Sequence, residues 1–131
     1  MSTPNELYSA AKNICNISTE PAMFRASISR LYYSSYHQCR HYYASLKALG
    51  SVGSANGIHE QLIAQLNNPG KLSQKERLKS IAVGKLLRAL LVERVRADYQ
   101  CDKVVDMSNM SDSLTMAEVI FSKTNLDLQE N

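Results

Sequence analysis

Several things this chain does without narrow its reading at once. Its three cysteines, Cys15, Cys39 and Cys101, form no Cys-x-x-Cys pair. An odd, scattered set of this kind excludes a disulfide framework or a zinc site built on paired thiols, and reads as reduced, mostly buried thiols. No apolar run is long enough to cross a bilayer, and the opening Met-Ser-Thr-Pro-Asn-Glu lacks the basic and then apolar regions of an export signal. A cytoplasmic protein with no membrane partner is therefore expected. The Gly50-Ser-Val-Gly-Ser-Ala-Asn-Gly57 loop has neither the spacing nor the Lys of a Walker motif, so it is not read as a phosphate loop. No stretch reads convincingly as a strand and no segment repeats. Glycine and proline number only five and three, and neither occurs between Pro21 and Gly50.

What is present fits one helical domain spanning residues 1–131, long enough to bury a core without disulfides or a structural metal. Hydrophobic residues make up 44% and charged ones 21%, ordinary for a globular chain. The formal charge is a mild +3, but nine basic residues face four acidic ones between residues 71 and 103, while residues 104–131 hold five acids and one Lys. Such a basic segment suits a nucleic-acid backbone, and equally a solvated helix.

Five helices are predicted. The first covers residues 4–17, with Pro4 in its first turn and Leu7, Ala10, Ala11, Ile14 and Cys15 as its apolar side. The second is long, is capped by Thr19 with Glu20 and Pro21 in its first turn, and belongs to an apolar and aromatic run over residues 21–49. A short third helix over residues 58–66 places Ile58, Leu62, Ile63 and Leu66 on one face, with His59 off it. Ser73-Gln-Lys-Glu76 reads as a capping box opening a fourth helix that reaches about Tyr99. That helix is expected to bury Leu78, Ile81, Ala82, Leu86, Ala89, Leu90, Val92 and Val95, and its Gly84 points to close packing against the second helix. A polar connection over residues 101–110 leads to a fifth helix starting near residues 111–113 and running through Ala117, Val119, Ile120 and Phe121 toward Leu128. The fold class is all-α, an up-and-down bundle of about five helices.

The second helix has two contrasting faces. At about 100° per residue, Phe24, Ile28, Leu31, Tyr32, Cys39, Tyr42, Tyr43, Leu46 and Leu49 form the core stripe. Nearly opposite lie Arg30, Ser34, His37 and His41 with Ala26, Ala44 and Ala48, where a simply solvated face would carry Lys and Glu. Arg30 and His37 are seven residues apart, which stacks them on one face about 10 Å apart along the axis. Arg is a fixed fork for phosphate oxygens, and His can exchange a proton near neutrality, so the pair could converge on one phosphodiester. The same spacing also arises from a surface charge and a half-buried polar residue.

Ser29-Arg30-Leu31-Tyr32-Tyr33-Ser34-Ser35-Tyr36-His37 resembles the Ser-Arg-x-Tyr-Tyr-x-x-aromatic-His signature of small bacterial and archaeal HEPN-domain proteins, all-helical modules of the HEPN superfamily. Gly57-Ile58-His59 stands where that family has a short His-bearing segment opening its third helix. Arg94-Val-Arg-Ala-Asp98-Tyr99 is similar to its Arg-x-x-x-Asp-Tyr element. The resemblance implies a homodimer whose long helices bring both copies of Arg30 and His37 to a shared cleft. It implies metal-independent endoribonuclease activity with no cofactor, as in toxins of toxin-antitoxin or phage-defence systems, with RNA as substrate and an antitoxin as partner. Arg30 would hold the scissile phosphate and His37 would act as acid or base at the ribose 2'-hydroxyl. Tyr33, Ser34, His41, Arg94 and Asp98 would line or support the cleft, the last two pairing four residues apart. Leu31 follows Arg30 where catalytic members carry a polar residue. The alternative is a non-catalytic partner or regulator of a minimal nucleotidyltransferase. His59, on a separate short helix beside a loop, is expected to have no part in catalysis.

Overall fold

The structure, a computed structural model, describes residues 2–125. Five helices follow in order: α1 (Pro4–Ile17), α2 (Pro21–Ser45), α3 (Ile58–Asn67), α4 (Gln74–Tyr99) and α5 (Met107–Thr124). Among the described residues there is no strand, and none of these helices is long and apolar enough to cross a membrane. The expected helical bundle is what forms.

The helix starts follow local chemistry. Thr3 and Glu6 make a reciprocal capping box ahead of α1, with Pro4 in the first turn. Ser73 caps α4 through the Glu76 amide, while the Glu76 carboxylate accepts the Ser73 hydroxyl rather than the backbone N–H of a full box. Asp106 and Asn109 form a second reciprocal box, which starts α5 at Met107, ahead of the expected 111–113. Asp and Asn replace the Ser and Glu of the usual pattern, so the start is disguised in sequence. Leu128 lies outside the described residues. For α2 the N-cap is Glu20 without a side-chain bond, and the Thr19 hydroxyl turns to the Met23 sulfur instead.

α2 is the central element, packing against α1, α4 and α5, while α3 rests mainly on α4. Its core stripe holds as expected through Phe24, Ile28, Leu31, Tyr32, Cys39 and Tyr42, but the helix ends at Ser45 and leaves Leu49 exposed. The other stripes hold in part, with Ala11 and Cys15 of α1 buried as expected. In α1 Tyr8 is buried and stacks on Phe121 at 4.3 Å, whereas Ala10 is exposed. In α3 Leu62, Ile63 and Leu66 are buried and Ile58 is exposed. In α4 Val83, Leu87, Leu90 and Leu91 are buried, whereas Leu78 and Val92 are exposed and Ile81, Ala82, Leu86, Ala89 and Val95 are half-buried. Apolar residues occur all round α4, so periodicity alone could not choose its inner face. Cys15 and Cys39 are buried free thiols, and Cys101 is free and exposed.

Two contacts fix how the helices meet. A Cβ at Gly84 would stand 3.0 Å from both the Leu66 Cβ and the Asn67 side chain, so its close packing is against α3, not α2. Arg25 of α2 reaches the end of α4, donating to the carbonyls of Arg96 at 2.9 Å and Ala97 at 3.0 Å, and to those of Gln100, Cys101 and Lys103. One guanidinium thereby satisfies carbonyls that the last turn of a helix leaves open. It also fixes the register of α2 against the segment of α4 that carries Arg94 and Asp98.

Candidate active site

The exposed edge of α2, the first turn of α3 and the last turns of α4 enclose a cavity of about 280 Å³. From α2 it receives Arg30, Tyr33, His37 and Arg40; from α3, Ile58 and His59; from α4, Arg94. Three guanidinium groups and two imidazoles thus line it, and no carboxylate does. Such a lining favours an anion.

Arg30 and His37 meet as their spacing requires. The Arg30 guanidinium lies over the Tyr33 ring at 5.0 Å, and the Tyr33 ring meets His37 edge-on at 4.5 Å. Tyr33 therefore spaces the cation from the imidazole and leaves both facing the cavity. Leu31 is fully buried in the core, as its place on the helix wheel demands.

His59, expected from the sequence to take no part in catalysis, is brought by α3 into the same cavity. Its Nδ1 shares a 2.8 Å hydrogen bond with the Tyr32 hydroxyl. Tyr36 is the common wall, with ring centroids 4.6 Å from His59 and 5.3 Å from His37. Gly57 makes this placement possible as the N-cap of α3, since its φ of 88° is one that side-chain-bearing residues rarely adopt. The adjacent carboxylate, Glu60, turns away to a two-pronged ion pair with Arg88, which holds it below the usual carboxylate range. A signal for His59 did exist in the sequence: a tyrosine in the core stripe needs a partner for its hydroxyl, and His59 was the polar group off the α3 apolar face.

The electrostatics are those of a desolvated cationic pocket. Burial lowers the His37 pKa below the ordinary 6.5, and Arg40 and His41 lower it further. Burial and then Arg94 do the same to His59, with Glu60 opposing and His37 adding to the depression. Burial keeps the Tyr32 hydroxyl protonated well above the usual phenol range, so it can donate to neutral His59 and accept from the imidazolium. Arg94 is held by Asp98 at 2.8 Å, and Asp98 also accepts the Ser29 hydroxyl at 3.2 Å. That chain ties the end of α4 to the first residue of the α2 signature. Asp98 itself stays behind the cavity.

Two expected lining residues are not there. Ser34 is fully buried and its hydroxyl donates to the Leu31 carbonyl, so it faces neither a cleft nor a seam. His41 is exposed one turn beyond His37 and lines shallower hollows on the outer side of that ring. Among the described residues no cluster of three or more His, Cys, Asp or Glu is arranged to hold a metal ion. Comparison of the chain with family models, curated proteins and solved structures gives no match.

Proposed function

We propose that this protein is a metal-independent endoribonuclease of the HEPN kind, acting in the cytoplasm as the toxin of a toxin-antitoxin or phage-defence system. The carrying observation is the convergence of two half-buried imidazoles and three guanidinium groups on one cavity with no carboxylate in its lining. The likeness of residues 29–37 to the HEPN signature supports the same reading. A phosphodiester is an anion with two oxygens that must exchange protons, and this set supplies charge for the first need and paired acid and base for the second.

In the proposed reaction Arg30 and Arg40 hold the non-bridging oxygens of the scissile phosphate. One imidazole of the His37 and His59 pair takes the proton from the ribose 2'-hydroxyl as its oxygen bonds to phosphorus. The bond from phosphorus to the 5'-oxygen breaks, and the other imidazole, protonated, gives its proton to that oxygen. The products are a 2',3'-cyclic phosphate and a 5'-hydroxyl end. Tyr32 orients His59 in either protonation state, and Asp98 orients Arg94.

Product analysis of a defined single-stranded RNA incubated in EDTA tests this. The reading requires cyclic phosphate ends and no cleavage at a position bearing a single 2'-deoxyribose. Cleavage that needs added magnesium, or that leaves 5'-phosphates, overturns it. No cleavage across varied RNAs would favour the module that partners a nucleotidyltransferase.

A further inference from the structure

Beside the cavity lies a second hollow of about 360 Å³ between α2 and α3. Tyr36, Arg40 and Ile58 belong to both, so the two spaces share a wall. Their chemistry differs sharply. The second hollow has Arg40 as its single charged group and is otherwise built from Tyr43, Gln61, Gln65 and apolar side chains. The Gln61 and Gln65 amides stand one turn apart on α3, are half-buried, and make no hydrogen bond within the described protein. The Tyr43 ring is pinned because its hydroxyl accepts the Gly50 N–H at 2.7 Å. Gly50 can lie this close to α3 because it has no Cβ, which would sit 2.3 Å from the Gln65 carbonyl oxygen. Ile58 is 64% exposed and adds an apolar edge beside them.

An aromatic ring pinned by its hydroxyl, two amides that each offer a donor beside an acceptor, and little charge suit a flat, uncharged, hydrogen-bonding ring. We propose that the hollow between α2 and α3 is a nucleobase subsite, which takes the base of a nucleotide adjoining the phosphate held in the first cavity. This rests on reading that first cavity as a phosphodiester site. Arg40, lining both spaces, sits where the phosphate joins the base-bearing nucleotide. The subsite selects an unpaired strand, because a base paired in a helix cannot turn its hydrogen-bonding edge to Gln61 and Gln65.

The test is calorimetric titration of the full chain with three kinds of probe. They are a 2'-deoxy dinucleotide that cannot be cleaved, its two versions with one base removed, and inorganic phosphate. Removing one particular base should weaken binding at least about tenfold and removing the other should change it little, as expected for one stacked and hydrogen-bonded base. Gln61→Ala and Gln65→Ala, separately and together, should weaken the intact dinucleotide by a similar factor and leave phosphate unaffected. Circular dichroism checks that each variant stays helical, and the base-removal comparison on the unaltered protein decides even if one does not. Both abasic probes binding as tightly as the intact one would overturn the subsite while sparing the phosphate site. A dinucleotide and phosphate that both fail to bind would overturn both. Base-dependent binding without RNA cleavage would support the subsite and remove the ribonuclease reading alone.

Discussion

His59 changes what His37 can do. With one imidazole, a single group must serve both the attacking and the leaving oxygen; with two on a common Tyr36 wall, each can take one. His59→Ala should therefore lower RNA cleavage by about a hundredfold or more, with the helical circular dichroism unchanged. Near-full activity of that variant would reduce His59 to a packing partner of Tyr32 and Tyr36. The pH dependence follows from the direction of both shifts. Both imidazoles have pKa values below the ordinary 6.5, so above that pH both are neutral and the acid is missing, while at low pH both are charged and the base is missing. The profile of kcat/KM, which reports the free protein, should be bell-shaped with its maximum on the acid side of 6.5. A maximum above neutrality would contradict the pairing. The same shifts act on stability: because folding favours the neutral rings, their contribution is present above 6.5 and is lost as pH falls through the depressed values. In the sequence, spacing along one helix made Arg30 and His37 legible as a pair. His59 is 22 residues further on, and its place depends on how a loop folds back, which spacing does not carry.

Helix limits were the most legible part of the elements, because caps are local chemistry. α1 and α4 begin and end as read, since a Pro in the first turn and a Ser with an amide three residues on need no tertiary context. Inner faces were less legible. The faces of α2, whose aromatics fall on one stripe, and of α3 were legible; that of α4 was not, and at Gly84 it packs closely on α3. Gly84→Leu should consequently destabilise by about 1–3 kcal/mol in urea titrations, as overpacking does. It should also lower cleavage beyond any loss of folded protein, because α3 carries His59. Arg25 offers a second test of element placement. Arg25→Ala removes a charged donor from several helix-end carbonyls and should cost about 2 kcal/mol. Arg25→Lys should not restore it, since one ammonium cannot reproduce the planar fork. Unchanged unfolding midpoints would show that α4 ends as well without the clamp. Of the basic run over residues 71–103, Arg88 and Arg96 pair with Glu60 and Glu93, Lys75, Arg77 and Lys85 are exposed, and Arg94 lines the cavity.

At the scale of the molecule, the cavity opens along a strip of α2 on which Ala26, Arg30, Arg40, His41 and Ala44 are all exposed and no acid intervenes. The homodimer that the HEPN resemblance implies would join two such strips, with Ala26 and Ala44 allowing close approach. Light scattering at micromolar concentration should give a dimer that Ala44→Arg disrupts; a monomer, or a dimer indifferent to that change, would move the seam elsewhere. In the proposed reaction the guanidinium groups of Arg30 and Arg40 and the imidazoles of His37 and His59 break RNA without a metal. This is tested most directly by single-turnover cleavage of a single-stranded RNA in EDTA by the unaltered protein and by Arg30→Ala and His37→Ala, all three confirmed helical. Each substitution should lower the rate by about a hundredfold to ten-thousandfold; cleavage that survives both would contradict a role for Arg30 and His37.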